Sequence, residues 1–546
     1  MPRFFAICLF VSISSGAFCQ HSKMTVSDDF KTSEKGYTDQ TVTHSIYHNN
    51  YFYTATNSGI GGNYKWAFTK LYDLKYIVSI SKFDKNEQKV KDIELENGER
   101  IFGPLAPELI LLNNKLCLVY FKNDTKTSFD LYLSMIDEDN LTLKEPKKLC
   151  TIQQENVGVF KMESVVNSNQ VYLTHSADGA KAFVACKTSA NTILTFVLDN
   201  QLNIVKQTSL RTNEGFEIGS AVLTNDNVEC LLLNSEQDTK LMCIGADGKK
   251  TENKLIASGN LFPFNTNASI AGNGKSIYVY STTVTGPEDK HCNGLLFSQL
   301  DCNTLKLSKP LAYEFTPELM ETICKKGGGS KHKKEFWMYN FKPDLMELDN
   351  GNLVILGSPE QLSTTSSTRA SSTDITKTKE VMTTTLDVGP VLSFYLNKAG
   401  KTFDCIIIPR KLSLAKYSSS GSGTIQMVQA PRISRTYGSF SATRLSDEIA
   451  IIYNDGEKNL TRSEDEKVAE EASSKDLVLA EALINKDKKL EYRKQIAKNL
   501  SGRYTYFLGN TIPTSSSSVI FPIGKEGQGF SARKTFFTNW CFVDVN

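Results

Sequence analysis

Histidine is sparse in this sequence, and its 12 cysteines include no CxxC pair. The six histidines stand singly, without an HExxH motif or another pair at ligand spacing, so no metal site is expected. A P-loop, a dinucleotide-binding fingerprint and a GxSxG nucleophile elbow are also missing, and no cofactor is predicted. These absences leave no catalytic signature by which the sequence alone would identify an enzyme.

A dominant charge of either sign is absent as well, because 62 basic residues face 60 acidic ones and the formal net charge is +2. Without a basic field to attract phosphate backbones, nucleic acid is not an expected partner. Beyond residue 19, no run approaches the roughly eighteen consecutive apolar residues of a membrane-spanning helix. The sequence therefore does not predict an integral membrane protein.

The first 19 residues have the layout of a secretory signal peptide. Arg3 supplies a positive start, residues 4–11 form an apolar run, and Ala17 occupies the third position before a cleavage site after Cys19. A lipoprotein with Cys19 as the lipidated residue is the weaker alternative, because bulky Phe18 precedes it. We predict that residues 1–19 are a signal peptide and that the mature protein is secreted or periplasmic.

What the chain does have is a recurring polar turn followed at once by an apolar or alternating strand. Asn, Asp, Gly and Ser dominate these turns, as tight hairpins require, because such residues tolerate positive φ or bond to nearby backbone. The short apolar runs that follow fit buried strands. The eight turns begin at His48, Asn113, Asn167, Asn225, Gly272, Asp349, Ser446 and Ser515.

A second recurring feature lies between those turns: an apolar strand that ends in Asp or Asn, then a short turn and a more polar strand. Together the two features give a unit of four strands with tight turns after the first and the third strand. The apolar strands of this second feature end at Asp84, Asp137, Asp199, Asp247, Asp301, Asn397, Asn485 and Asp544.

In this repetition the chain resembles the β-propeller superfamily, with kelch, WD40 or TolB-like architecture but without the signature of any one family. The resemblance implies an all-β fold in which about eight four-stranded blades form one ring over residues 20–546. Seven blades is the alternative, because the unit at residues 41–95 is the least regular. The eighth unit stops after its third strand, and residues 23–28, with Met24 and Val26 alternating, are predicted to complete it.

Four stretches exceed what a compact blade needs: residues 325–334, 362–387, 414–424 and 455–476. The second is Ser/Thr-rich with too little apolar content to pack, the first is a flexible basic loop, and the last has a helix-forming composition. All four fall in connections that emerge on the same side of a propeller. We predict that they project from one face, where loops on a rigid scaffold commonly bind ligands.

One pair of cysteines stands out. A two-residue turn at Glu236 and Gln237 would place Cys230 directly opposite Cys243 in a hairpin, which makes the pair a candidate cross-strand disulfide. Most of the other cysteines beyond residue 19 lie in apolar strand segments and are interpreted as small buried side chains.

Two places are candidate ligand contacts. Arg432, Arg435 and Tyr437 precede the first strand of the seventh unit, which in a propeller would line the central channel; exposed arginines on a connection are the alternative. Trp66 lies in a long loop of the first unit, where it could offer an aromatic platform to a sugar or peptide, or pack over the ring. Residues 175–179 resemble the turns of Asp-box and TolB-like propellers and are interpreted as a structural turn after a second strand.

We interpret the chain as an exported, non-enzymatic propeller that binds or scaffolds a protein or glycan partner through its loop face. The alternative is a hydrolase of glycans or peptides with its site at the mouth of the central channel. A hydrolase should show converging carboxylates or an Arg/Tyr/Glu group there, with perturbed pKa values. A binding module should instead show an apolar or aromatic patch.

Overall fold

The computed structural model describes the chain in segments, most of which lie in β-strands. The described residues are 23–26, 37–60, 74–84, 88–100, 108–125, 128–153, 171–189, 191–212, 216–235, 238–255, 261–286, 289, 291–327, 338, 340–370, 378–397, 404–419, 438–462, 468–471, 476–497, 505–506, 508, 512–515, 518–526 and 535–544.

The strands form a series of antiparallel sheets, each built around four strands that follow one another along the chain. The strand that comes first, β1 (Lys23–Val26), belongs to the last of these sheets. The first four sheets contain β2 (Tyr37–His48), β3 (Tyr51–Ile60), β4 (Leu74–Phe83) and β5 (Lys89–Arg100); β6 (Glu108–Leu112), β7 (Lys115–Thr125), β8 (Ser128–Asp137) and β9 (Thr142–Gln153); β10 (Val171–His175), β11 (Ala182–Ser189), β12 (Thr192–Leu198) and β13 (Ile204–Arg211); and β14 (Glu217–Leu223), β15 (Glu229–Asn234), β16 (Thr239–Ile244) and β17 (Lys250–Lys254).

The next four sheets continue the same order. The sixth omits two strands, which belong to a separate sheet described below. These sheets contain β18 (Phe262–Ile270), β19 (Ile277–Val284), β20 (Gly294–Asp301), β21 (Lys306–Leu307) and β22 (Leu311–Glu314); β23 (Asp344–Glu347), β24 (Leu353–Gly357), β27 (Val391–Leu396) and β28 (Asp404–Ile408); β30 (Phe440–Leu445), β31 (Glu448–Gly456), β32 (Leu477–Ile484) and β33 (Leu490–Ala497); and β34 (Thr505–Tyr506), β35 (Ile512–Ser515), β36 (Ser518–Glu526) and β37 (Thr535–Asp544) with β1.

Turns rich in asparagine and glycine set the register of these sheets, as the sequence predicts. Between β2 and β3, Asn49 and Asn50 have φ values of 50° and 63°. Both residues of this two-residue hairpin are thus in the left-handed region, which asparagine tolerates better than most side chains. Gly274, between β18 and β19, reaches the same region with a φ of 67°.

The third sheet departs from the prediction. Val171–His175 is its first strand rather than its second, so residues 176–181 form the turn into β11. In that turn Ser176 donates to the Asp178 carboxylate (2.6 Å), which also accepts from the backbone N–H of Ala180 (3.1 Å). The predicted turn that begins at Asn167 lies outside the described residues.

A hydrophobic cluster lies between each sheet and the next along the chain. Between the fifth and sixth sheets, Phe315 stacks on Phe394 with ring centroids 5.2 Å apart, and Phe341 meets Phe394 edge-on at 5.9 Å. Every residue of β27 is buried, because packed side chains cover both faces of its sheet. No single sheet could bury both of its faces alone, so the neighbours stabilise one another.

The sheets close into a ring. The first strands β2, β6, β10, β14 and β18 contact one another in succession, and β2 also contacts β35 and β37 of the eighth sheet. Stacked neighbours and a contact between the first and the last sheet together define a β-propeller, as predicted. The described residues form eight such sheets, and eight stays the predicted number of blades.

Residues near the two ends of the sequence complete the last sheet together, also as predicted. Strand β1 runs antiparallel to β37, with Met24 opposite Val543 and Val26 opposite Cys541. Met24 packs against the cluster that contains Val543 and Phe521, between the seventh and eighth sheets. The strand that closes the ring is therefore held by side-chain packing as well as by backbone pairing.

Segment 362–387 is not the unpacked loop that its composition predicted. Strands β25 (Glu360–Ala370) and β26 (Thr378–Val388) form a hairpin, and β29 (Leu412–Ser419) adds a third strand. Part of the 414–424 insertion lies in β29, so two of the four insertions meet in one small sheet. Leu386, Val388, Leu412 and Leu414 form a buried cluster there with Leu477 of the seventh sheet. The composition of the segment gave the wrong prediction because threonine favours strands. In addition, the buried cluster takes only Leu386 from the segment, and its other members lie outside it.

Two short helices complete the described structure. Helix α1 (Pro317–Lys326) is capped by Thr316, whose hydroxyl accepts from the backbone N–H of Leu319 (3.2 Å), and it includes the first two residues of the predicted basic loop. Helix α2 (Glu457–Leu460) lies in the fourth insertion, directly after β31. None of the helices in the described segments is both long and apolar enough to cross a membrane.

Candidate functional site

A cavity of about 400 Å³ opens beside the first strands of the sixth and seventh sheets. Ser358 reaches it from the connection that leaves β24, and Glu360 reaches it from the start of β25. Leu508, between β34 and β35, and Val519 of β36 complete its lining on the side of the eighth sheet. We call it the inner cavity. The described residues that line it are Lys342, Asp344, Met346, Ser358, Glu360, Gly438, Ser439, Phe440, Ser441, Ala442, Leu508 and Val519.

Charged side chains give part of this lining a negative excess. Asp344, the first residue of β23, accepts from the backbone N–H of Leu345 (2.9 Å), yet the surrounding protein partly desolvates its carboxyl and raises the pKa. Glu360 accepts from the side-chain amide of Asn340 (3.4 Å). Lys342 is the one basic side chain among the described lining residues. A cationic group entering the inner cavity would therefore favour the ionised form of Asp344.

The rest of the lining is largely apolar. Met346 lies two residues after Asp344 and so on the same face of β23. Phe440 begins β30, and Leu508 and Val519 extend the cluster between the seventh and eighth sheets. A wall with a carboxylate beside apolar groups suits a ligand that combines a cation with an apolar body.

Behind the lining lies Arg410, a fully buried arginine. Its guanidinium donates to the carbonyl of Gly389 (3.2 Å), the carbonyl of Gly438 (2.9 Å) and the hydroxyl of Ser358 (2.9 Å). Two of these partners line the inner cavity: Ser358, which directly follows β24, and Gly438, which shortly precedes β30. Burial lowers the pKa of Arg410 to about 10, so it stays protonated at neutral pH and fixes the cavity wall from behind.

Asp455 continues this buried polar network. Its Oδ1 accepts from the backbone N–H of Gly456 and from the amide of Asn459, both at 2.8 Å. Asn459 in turn donates to the carbonyl of Ala469 (3.0 Å) and accepts from its N–H (2.8 Å). Burial raises the pKa of Asp455 to about 6, an effect that the charge of Arg410 opposes. The charge interaction between Arg410 and Asp455 therefore couples the cavity wall to the 455–476 insertion.

Acidic side chains also begin the first strands of other sheets. Glu108 begins β6 and Glu217 begins β14. Burial raises the pKa of Glu108 to about 7. A perturbed carboxyl at an inner strand is one feature expected of a hydrolase, but Glu108 is not among the described residues that line the inner cavity.

The raised pKa makes Glu108 a test of pH-dependent stability. The fold favours the neutral form of the Glu108 carboxyl. Its contribution to the unfolding free energy is therefore complete below the ordinary pKa of 4.5 and is lost as the pH rises to about 7. We expect the wild-type unfolding free energy to fall across that window, relative to Glu108→Gln, by roughly 3 kcal/mol. Urea unfolding of both proteins at several pH values in this window measures the difference, and parallel curves would contradict the assignment.

The ligand-contact residues expected from the sequence lie outside the described part of the chain: Trp66, Arg432, Arg435 and Tyr437. The segment that directly follows Tyr437 is described, and residues 438–442 line the inner cavity. That Arg432, Arg435 and Tyr437 contact a ligand therefore stays a prediction. Arg444, from the same basic stretch, instead pairs with Asp349 (3.2 Å) near the turn that follows β23.

Cys230 and Cys243 are directly opposite each other in β15 and β16, the register that the sequence predicts. Both are fully buried thiols in this structure, with their Sγ atoms 3.0 Å apart. A disulfide between them stays a prediction. Within the described segments, no group of three or more His, Cys, Asp and Glu side chains could hold a metal ion.

Sequence reasoning missed Arg410 and the acidic residues of the inner cavity. A signal for Arg410 exists, because it interrupts an apolar stretch that runs from β28 into β29. Asp344 stands at the start of a predicted first strand, the position that lines a propeller channel, but nothing in one sequence distinguishes it from a solvated acid. The structural roles of Arg410 and Asp344 depend on residues that are distant along the chain.

No protein-family model matches the sequence, and a search of curated proteins finds no significant match. Several solved structures are similar. The β-propeller domain of the Trilobed protease from Pyrococcus furiosus is 9% identical, with a TM-score of 0.36 over 85% of this chain and 99% of that one. Dipeptidyl peptidase 4 from Porphyromonas gingivalis is 12% identical, with a TM-score of 0.31 over 62% of this chain and 44% of that one. Such distant likenesses carry no argument about function. The stacked ring of sheets makes the chain a β-propeller, with no sequence family assigned within that architecture.

Proposed function

We propose that the protein is an exported, non-enzymatic binding module whose inner cavity receives a basic side chain from a protein partner. The observation that carries the proposal is the lining itself, in which Asp344 and Glu360 share a cavity with Met346 and Phe440. A lysine or arginine side chain has a cationic end and an apolar stem, and so complements both parts of this wall. Its charge would offset the desolvation that raises the pKa of Asp344.

A protein partner fits this cavity better than a glycan partner. Sugar rings commonly stack on flat aromatic faces, and Phe440 is the only aromatic side chain among the described lining residues. About 400 Å³ also suits one or two side chains of a peptide segment. Because Arg410 fixes Ser358 and Gly438, that part of the wall is formed before the ligand arrives, which lowers the entropic cost of binding.

The proposal predicts that peptides with a basic side chain are retained. We suggest two degenerate libraries of acetylated pentapeptides, one with arginine fixed at the centre and one with citrulline, its neutral counterpart. Immobilised wild-type protein should enrich the arginine library. Substitution Asp344→Asn should weaken binding of the enriched peptides about tenfold, the usual effect of losing one charge-assisted hydrogen bond. Fluorescence anisotropy measures the affinities.

Glu217→Gln is the matched control, since it removes a carboxyl from the start of another inner strand that is not part of the described lining. It should leave the affinity unchanged. Equal retention of both libraries, or equal loss with either variant, would contradict the assignment to the inner cavity. Cleavage of retained peptides, followed by mass spectrometry, would instead favour the hydrolase.

A further inference from the structure

Two pairs of cysteines bring their sulfur atoms into contact. The first is Cys230 and Cys243, within the fourth sheet, at 3.0 Å. The second is Cys150 and Cys186, with Sγ atoms 3.3 Å apart. Cys150 lies on β9, the last strand of the second sheet, whereas Cys186 lies on β11 of the third sheet. The second pair therefore crosses the boundary between two neighbouring sheets.

We propose that Cys150 and Cys186 form a disulfide that cross-links the second and third sheets when the protein folds in an oxidising compartment, and that Cys230 and Cys243 form a second one within the fourth sheet. In each pair the side chains already point at one another. A bond length of about 2 Å requires an approach of roughly 1 Å from the present positions, which small side-chain rotations can supply. The proposal is independent of what the inner cavity binds.

The surroundings of Cys150 and Cys186 favour a fixed cross-link. Cys186 is fully buried in the cluster between the two sheets, and Cys150 packs against that cluster. Strands β9 and β11 contact each other, so their backbones are already neighbours before any bond forms. A bond here would add a covalent link between adjacent sheets that already meet through side-chain packing and hydrogen bonds.

The chemistry requires an oxidant, which we take to be a protein or low-molecular-weight disulfide. A cysteine thiolate attacks that disulfide, forms a mixed disulfide and releases one thiolate of the oxidant. The second cysteine of the pair, as its thiolate, then displaces the other half. Each pair thus loses two protons and two electrons, and the oxidant becomes two thiols.

Burial decides when the bonds form. Burial raises the pKa of the Cys230 thiol, and the hydrogen bond with Cys150 together with burial raises the pKa of the Cys186 thiol. Few thiolates are present at Cys186 and Cys230 once the protein has folded, and both side chains are fully buried, out of reach of oxidants. The bonds should therefore form during folding and persist as structural cross-links rather than act as a reversible switch.

Peptide mapping tests the proposal on the full chain. The protein is produced once in a reducing bacterial cytosol and once with an export leader in the periplasm, then denatured, alkylated without reductant and digested with trypsin. Lys181 and Lys240 lie within the two pairs, so each pair falls on separate peptides unless a bond joins them. Exported protein should lose alkylation at all four cysteines and yield two linked peptides. Cytosolic protein should be alkylated at each of them.

A variant separates the cross-link from simple packing. Cys150→Ala should expose Cys186 to alkylation in exported protein, and reductant should then shift its urea unfolding midpoint less than it shifts that of the wild type. Cys405→Ala is the matched control, since it removes a half-buried cysteine that belongs to neither pair and should preserve both linked peptides. If the exported protein does not accumulate, refolding the cytosolic protein in a glutathione redox buffer gives the same readout. Full alkylation of Cys150 and Cys186, or linkage of either to a different cysteine, would overturn the proposal.

Discussion

Replacing Arg410 with methionine should lower the free energy of unfolding by about 3–5 kcal/mol, the range found when one partner of a buried charged network is removed. Methionine fills much of the volume but donates no hydrogen bond. The carbonyls of Gly389 and Gly438 and the hydroxyl of Ser358 would lose the donors they have in this buried position. Asp455, also fully buried, would lose the neighbouring positive charge.

Arg444→Met is the matched control, because Arg444 pairs with Asp349 while both side chains are about half exposed (47% and 51%). Exposed pairs of this kind contribute about 1 kcal/mol or less. Urea unfolding of the wild type and both variants gives the comparison. Arg410→Lys should fall between wild type and Arg410→Met, since lysine keeps a charge without the forked geometry. Similar losses for Arg410→Met and Arg444→Met would show that Arg410 does not anchor the sheets.

Placing proline at both Thr25 and Val26 should cost about 3 kcal/mol or more, because it opens the ring. Strand β1 is the outer strand of its sheet, so only alternate N–H groups face β37. Two adjacent prolines remove one inward N–H whichever way the strand faces. The last sheet would lose its fourth strand, and the apolar packing of Met24 would be loosened. The urea unfolding midpoint measures the loss.

Alanine at the same two positions keeps every backbone N–H and controls for the lost side chains.

A second test of the closing strand uses the register directly. Val26→Cys places a thiol opposite Cys541, whereas Thr25→Cys faces Phe542. Oxidation should link the first variant across the closing strand and raise its unfolding midpoint, while Thr25→Cys should remain without that bond. A proline variant as stable as its alanine control would show that the strand does not close the ring.

Much of the fold could be predicted because the information for each sheet is local. Asn49 and Asn50 favour a tight turn, and a mostly apolar strand such as β27 indicates burial on both faces. The third sheet shows where this reasoning fails. Residues 176–181 form a longer turn, which lies one strand earlier in the sheet than the repeat predicted, and only pairing with β11 decides the order.

The site was less predictable because it is assembled from segments far apart in sequence. Nothing in the local sequence around Arg410, Ser358 or Gly438 indicates a site. Their role follows from the hydrogen bonds that join them in the folded protein. The small sheet of β25, β26 and β29 is a similar case. Its Ser/Thr-rich hairpin is ordered by a third strand from a different insertion, which composition cannot reveal.

The pairing of β1 with β37 also has a consequence for how the molecule is made. Residues 23–26 leave the ribosome well before their partners in β37, because all the other strands lie between them along the chain. Earlier sheets can form one by one from hairpins of nearby residues, but contacts between such remote segments are slow to establish. Until β37 arrives, the nascent chain has an unpaired strand and two unstacked apolar faces, and during that interval it is most prone to associate with another copy.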